Sequence, residues 1–117
     1  MVKANRIQEK ARGVGFDWDN ASQVWEKVQE ELKEFQDEVI ANDQEKMEDE
    51  FGDVLFSLIN YASFVNINPE NALERTNTKF IKRFQFLEEQ AKIDGKSLEN
   101  MTLTEMDVYW NKAKINL

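Results

Sequence analysis

Apolar side chains recur at helical spacing along most of the chain. In the segment 21–41 they step by three and four residues, which is the period of one helix face; the members are Trp25, Val28, Leu32, Phe35 and Val39. A second stripe runs through residues 44–65, at Met47, Phe51, Leu55, Leu58, Ala62 and Val65. Further apolar residues (Phe56, Ile59 and Phe64) flank this stripe, so we expect the second helix to be buried on more than one side.

Turn and cap residues separate the helical segments. Gly13 and Gly15 end a short first helix, and Asn42-Asp43 supplies a turn and a new N-cap between the two long ones. The pattern predicts four or five helices, over residues 5–12, 21–41, 44–65, 68–93 and 102–114. Asn68-Pro69 begins the fourth, and Thr102 with Glu105 forms a capping-box pattern for the last. Strand alternation is missing, so we expect an all-α, antiparallel helical bundle forming a single domain over residues 1–117.

Composition limits the chemistry that this chain can perform. The 117 residues include no His and no Cys. This excludes a Ser-His or Cys-His nucleophilic pair, a disulfide framework and a zinc site built from thiolates or imidazoles. Any catalysis must therefore come from carboxylates, Lys, Arg, hydroxyl groups or a hard metal ion.

The negative charge is concentrated in one segment. The net charge is -8, but the segment 26–53 holds 12 of the 23 acids and three of the 15 bases, and the remainder is nearly neutral. An acidic chain disfavours non-specific binding to nucleic acid or anionic membranes, although a phosphate ligand that arrives with divalent cations stays possible. No apolar run is long enough to span a bilayer and the first 25 residues lack a secretory pattern, so we expect a cytoplasmic protein.

Two pairs of carboxylates stand three residues apart on neighbouring helices, Glu31 with Glu34 and Glu50 with Asp53. A short connection favours antiparallel packing of these helices, which would bring the pairs face to face. Four converging carboxylates repel one another unless cations neutralise them, and oxygen ligands favour Mg²⁺ or Mn²⁺. The alternative is an ordinary solvated acidic face. Gly52 lies between two of the acids and weakens the helix, which suggests close backbone packing there.

Basic and aromatic residues follow in the second half of the chain. Arg75, Lys79 and Arg83 share one helix face, and Lys114 lies near Trp110. Such residues either solubilise a surface or bind a polyphosphate beside a metal-carboxylate cluster. Trp110, like Trp18 in the Gly-containing loop, either packs against the protein or stacks on a base.

The order Glu30-Glu31-x-x-Glu34, then Glu50-x-x-Asp53 followed by Val-Leu-Phe, resembles the all-α nucleoside triphosphate pyrophosphohydrolases of the MazG type. The segment 10–18 resembles the opening of the second, catalytic repeat of two-repeat MazG proteins, and segments 77–83 and 106–114 are similar to its later motifs. The resemblance covers almost the full chain, which begins where that second repeat begins.

The resemblance implies Mg²⁺-dependent hydrolysis of NTPs or dNTPs between the α and β phosphates, giving a nucleoside monophosphate and pyrophosphate. It implies Mg²⁺ ligands at Glu31, Glu34, Glu50 and Asp53, with Glu30 adjoining the catalytic site. It also implies nucleotide contacts at Lys27, Lys46, Lys79, Arg83, Trp110 and Lys114, and a homodimer that completes the bundle. Glu34 or Glu50 would accept the proton of the attacking water. Two alternatives remain: a narrow house-cleaning enzyme for dUTP, dCTP or a modified nucleotide, and a non-catalytic helical dimer that binds a partner protein.

Overall fold

The protein is helical throughout, as predicted. A computed structural model describes residues 1–117 and contains five α-helices, one short 3₁₀-helix at Leu98–Asn100 and no strand. The helices are α1 (Val2–Gly13), α2 (Ala21–Ala41), α3 (Gln44–Phe64), α4 (Pro69–Ile93) and α5 (Leu103–Asn116). None of them combines the length and the hydropathy that crossing a membrane requires.

The boundary between α2 and α3 follows from two adjacent residues. Asn42 adopts a left-handed conformation with φ of 56°, which ends α2 because its backbone no longer continues the helix. The side chain of Asp43 then accepts a hydrogen bond from the backbone N–H of Lys46 and caps α3. This confirms the predicted turn. By contrast, α1 begins at Val2 rather than at the predicted Asn5, since no helix-breaking residue lies between them.

Side-chain caps also fix the ends of α4 and α5. Asn68 accepts a hydrogen bond from the backbone N–H of Asn71 at 3.1 Å, in the N-cap position predicted for it. Thr102 and Glu105 form the predicted capping box, in which each side chain bonds to the backbone of the other. Gly95 follows α4 with φ of +70°, a conformation that side chains other than glycine rarely adopt.

The chain divides into two compact units, residues 1–72 and 73–117. In the first unit α2 and α3 are antiparallel. Two ring contacts show this: the rings of Phe35 and Phe51 lie 5.5 Å apart, and those of Trp25 and Tyr61 lie 5.1 Å apart. From Phe35 to Trp25 the chain runs ten residues towards the start of α2, and from Phe51 to Tyr61 it runs ten residues towards the end of α3. Whether the whole chain behaves as one domain stays a prediction.

The short helix α1 packs against α3 in the parallel direction. Gln8 Nε2 donates to the carbonyl oxygen of Phe56 at 2.9 Å, and Arg12 Nη1 donates to Asn60 Oδ1 at 2.9 Å. The second contact lies one helical turn further along both helices than the first. These two hydrogen bonds, one helical turn apart, therefore help to fix the register of α1 on α3.

Burial departs from the predicted apolar stripes. Val24, Val28, Val54 and Ile59 are buried with at most 4% of their surface exposed. Of the predicted stripe members on α2 and α3, Val28 is thus buried, but six are 40–49% exposed, namely Trp25, Leu32, Val39, Phe51, Leu55 and Leu58. α3 contacts both α2 and α1, so more than one of its sides is covered, although most of its apolar stripe stays exposed in the single chain. Periodicity locates an apolar face without saying whether this chain covers it.

Residues 73–117 contain four buried side chains with apolar surface. Leu87 and Ala91 on α4 and Tyr109 and Ala113 on α5 are buried, and each pair is one helical turn apart. The Tyr109 hydroxyl donates to Asp94 Oδ2 at 2.5 Å. This hydrogen bond, followed by burial, raises the pKa of Tyr109.

Candidate metal and ligand site

Three acidic side chains converge where α2 faces α3. Glu31 on α2 and Glu50 and Asp53 on α3 each offer one carboxylate oxygen, and these oxygens all lie within 4.8 Å of one another. The antiparallel register brings them together, since Glu31 lies one turn before Phe35, whose ring packs on Phe51. Three of the four carboxylates predicted to converge are therefore in one cluster.

The hydrogen bonding of these carboxylates suits a bound cation. Glu31 is only 6% exposed, and its Oε1 lies 2.9 Å from Lys27 Nζ. Glu31 Oε2 and Glu50 Oε2 are buried without a hydrogen-bond partner. Buried carboxylate oxygens without partners are costly, and a cation placed between them supplies what they lack. An oxygen-only ligand set selects hard divalent cations, so the residues present fit such an ion.

The other two predicted acids lie beside this cluster. Glu34 is exposed, but its pKa is raised, first by the charge of Glu31, then by burial and by the charge of Glu50. Glu34 therefore lies near the cluster, and its role as a fourth ligand stays a prediction. Glu30 is exposed, and its Oε1 lies 3.5 Å from Lys27 Nζ.

Lys27 is the basic residue closest to the carboxylates in this unit. It pairs with both Glu30 and Glu31, and its pKa is raised, chiefly by its hydrogen bond to Glu31. Lys46 is exposed in the first turn of α3. For both lysines the predicted contact with nucleotide stays a prediction.

The remaining predicted nucleotide contacts belong to residues 73–117. Lys79 and Lys114 are exposed, whereas Arg83 is half-buried with a buried Nε that has no hydrogen-bond partner. Trp110 is half-buried, and its ring lies 5.2 Å from that of Phe80. Packing accounts for one face of Trp110, and its contact with a nucleotide stays a prediction.

The cluster borders a cavity of about 680 Å³ within residues 1–72. The walls come from α1, the loop 14–20, α2 and α3, and they include Glu31, Asp53, Gln8, Asn60 and Trp18. Sequence reasoning missed Gln8, Arg12 and Asn60 because no spacing pattern marks them. The only signal was Trp18 in a glycine-containing loop.

Gly52 does not have the role predicted for it within this chain. It is exposed, and a Cβ added to it would meet no other atom within 4 Å. The close backbone packing expected between Glu50 and Asp53 is therefore wrong for the single chain. The ligands converge through the α2–α3 register instead.

Fold and site together define an all-α protein with a carboxylate centre suited to a divalent cation, next to a cavity large enough for a small organic ligand. Residues 20–86 match the model of the MazG nucleotide pyrophosphohydrolase domain, and the chain belongs to this family.

Individual relatives agree with this membership. The chain is 47% identical over 114 residues to the nucleoside triphosphate pyrophosphohydrolase/pyrophosphatase MazG of Thermotoga maritima. It is 34% identical over 116 residues to the nucleoside triphosphate pyrophosphohydrolase of Escherichia coli K12. Each alignment covers 97% of this chain but 44% of the relative. A 65-residue segment is also 54% identical to the uncharacterized protein YabN of Bacillus subtilis, covering 56% of this chain and 13% of that protein.

Proposed function

We propose that the chain hydrolyses nucleoside triphosphates, both NTPs and dNTPs, between the α and β phosphates, releasing a nucleoside monophosphate and pyrophosphate with Mg²⁺ or Mn²⁺. The observation that carries this proposal is the cluster of Glu31, Glu50 and Asp53 with its two unpartnered oxygens, beside a cavity, in a member of this family. The names of the Thermotoga and Escherichia relatives support the same reaction.

The chemistry follows from what the carboxylates can hold. Glu31, Glu50 and Asp53 would hold the cation, and Glu34 would complete the set from the adjoining turn of α2. A divalent cation held there would neutralise phosphate charge and make the attacking water easier to deprotonate. Glu34 or Glu50 accepts the proton of the attacking water at a carboxylate oxygen, with Glu30 beside them.

The basic residues have two tasks in this proposal. Lys27 holds Glu31 Oε1 at 2.9 Å and so fixes the orientation of that carboxylate. Lys46, Lys79, Arg83 and Lys114 bind phosphate oxygens, and Trp110 contacts the nucleotide. Guanidinium and ammonium groups stabilise charge that accumulates on phosphates during the reaction.

Release of pyrophosphate from a panel of canonical and modified nucleotides, with and without Mg²⁺, tests the reaction. We expect turnover of several nucleotides with the metal and none without it. Asp53→Asn abolishes turnover, whereas Glu48→Gln, the same kind of change at an exposed acid of α3 outside the cluster, retains it. Full activity of Asp53→Asn would remove the metal-site assignment. Turnover of only one nucleotide, such as dUTP, dCTP or a modified nucleotide, would indicate a narrow house-cleaning enzyme. No turnover of any nucleotide would indicate a helical dimer that binds a partner protein.

We also propose that the active form is a homodimer. The apolar side chains of α2 and α3 that are 40–49% exposed form the supporting observation, because monomeric proteins rarely leave so much apolar surface in contact with water. Sedimentation equilibrium should give twice the 13.8 kDa chain mass. Leu58→Glu should shift that equilibrium towards the monomer, and a monomeric wild-type protein would refute the proposal.

A further inference from the structure

The first helix, α1, buries little apolar surface against the rest of residues 1–72. Its one buried residue is the polar Gln8, and its larger apolar side chains, Val2 and Ile7, are 51% and 49% exposed. The helices α2 and α3, by contrast, contain valine side chains with at most 4% of their surface exposed, among them Val28 and Val54. Elements that bury few apolar contacts open most readily, so α1 is the least firmly held of these three helices.

The polar contacts that hold α1 in place differ in strength. Gln8 Nε2 donates to a carbonyl oxygen of α3, but Gln8 Oε1 is buried without a hydrogen-bond partner in the same position. Detachment of α1 would give that oxygen water as a partner, which offsets the loss of the Nε2 bond. The ion pair of the N-terminus with Glu70 is 3.7 Å long and the Glu70 side chain is 47% exposed, so it contributes little. The bond from Arg12 to Asn60 is therefore the contact whose removal should loosen α1 most.

The loop 14–20, which joins α1 to α2, can act as a hinge. The backbone N–H groups of Gly15 and Phe16 bond back to α1, and that of Asp19 bonds to a side chain of α2. Between them, the N–H of Trp18 bonds only to the neighbouring Asp17 side chain, and no hydrogen bond joins the loop to α3. Phe16 and Trp18 are also 70% and 42% exposed. Residues 17–18 can therefore change conformation without breaking a bond to any of the three helices.

From these observations we propose that α1 is a gate of the cavity: it detaches from α3 as a unit about residues 17–18, while α2 and α3 stay folded. One wall of the cavity consists of residues of α1, namely Ile7, Gln8, Ala11 and Arg12, so detachment opens that side to solvent and lets a small molecule enter or leave there. The clustered carboxylates lie on α2 and α3 and keep their positions during this opening. The inference does not depend on the reaction proposed above, because it concerns the protein without a ligand.

Amide hydrogen exchange of the ligand-free protein, followed residue by residue with NMR, tests the gate. A helix of 12 residues on its own is marginal in water, so α1 loses the protection of its amides when it detaches. We expect the amides of residues 6–12 to exchange, relative to their unprotected rates, about a hundredfold faster or more than those of Val28 and Val54. Equal protection of α1 and of these two residues would overturn the proposal, since it would mean that α1 opens only when α2 and α3 unfold with it.

Two matched variants of α1 test the contact that holds it. Arg12→Ala removes the bond to Asn60, whereas Arg6→Ala makes the same change at an exposed arginine without such a bond. We expect Arg12→Ala to speed the exchange of the α1 amides roughly five- to tenfold, the effect of losing one such bond, and to leave the amides of α2 and α3 unchanged. Cleavage by trypsin after Lys10, a site that all three proteins keep, should accelerate by the same factor. An Arg12→Ala variant that exchanges as Arg6→Ala does would overturn the proposal, as would one in which the amides of α2 and α3 exchange faster together with those of α1.

Discussion

The carboxylate cluster predicts that removing one of its charges stabilises the fold without metal and destabilises it when metal is present. In the metal-free protein the charges of Glu31, Glu50 and Asp53 repel one another, so removing one of them should stabilise the fold. With Mg²⁺ present the same charges hold the ion, so the substitution should remove most of the stabilisation that the ion provides. Glu50→Gln separates these two effects, because it keeps the size of the side chain and removes its charge.

The magnitude follows from the spacing of the oxygens. Two unit charges at the 4.8 Å limit of the cluster repel by about 3 kcal/mol at an effective dielectric constant of 20. Asp53 is exposed, whereas Glu31 and Glu50 are not. Solvent therefore screens the repulsion between Asp53 and the other two carboxylates to well below that figure. We therefore expect Glu50→Gln to gain about 1 kcal/mol without metal. Mg²⁺ at about 100 times its Kd adds about 2.7 kcal/mol to the wild type.

Thermal unfolding followed by circular dichroism at increasing Mg²⁺ measures both effects. At about 4 °C for each kcal/mol, the wild-type Tm should rise by about 10 °C with saturating metal, and that of Glu50→Gln by less than half as much. Glu48→Gln carries the same charge change at an exposed site of α3 and should respond as the wild type does. Equal Mg²⁺ shifts in Glu50→Gln and Glu48→Gln would refute the reasoning, since they would show that the ion binds elsewhere or acts only through net charge.

Three further measurements address single residues. The pKa of Glu34 is raised from 4.5, chiefly by the charge of Glu31. The metal-free fold therefore loses stability as the pH rises through that pKa. Glu34→Gln should reduce this dependence of Tm on pH in thermal melts at acidic to neutral pH. The pKa of Tyr109 is raised from 10.0 by its hydrogen bond to Asp94, so that stability is present below about pH 10 and lost above it; Tyr109→Phe should reduce this alkaline loss in urea titrations. Thr102→Ala should cost about 1 kcal/mol in the same titrations by removing the cap of α5, whereas Thr104→Ala, at an exposed position, should cost less.

The ends of the helices could be predicted from the sequence because local groups determine them. Asp43, Asn68 and Thr102 each cap a helix through a hydrogen bond to a backbone N–H three residues ahead. Such contacts need no knowledge of the rest of the fold. The convergence of Glu31 with Glu50 and Asp53 was predictable for a related reason, since spacing by three residues and one short turn fix where these acids lie on the two helices.

The cavity could not be predicted in this way. Its polar wall depends on contacts across 48 residues, from Gln8 to Phe56 and from Arg12 to Asn60. Neither glutamine nor asparagine has a spacing that marks it as part of a site. The exposed apolar faces of α2 and α3 show the same limit, because periodicity identifies the face and says nothing of what covers it.

The ion pair of Lys27 with Glu31 orients the Glu31 carboxylate and does little to stabilise α2. At four-residue spacing a helix gains more from an acid that precedes its basic partner, whereas here the lysine precedes the glutamate. Lys27 therefore adds little to the stability of α2. It does hold Glu31 Oε1 at 2.9 Å while leaving Oε2, which is buried, without a partner. One oxygen is thus fixed by a neighbour and the other is kept available to a cation, which is how a ligand in a preorganised metal site is held.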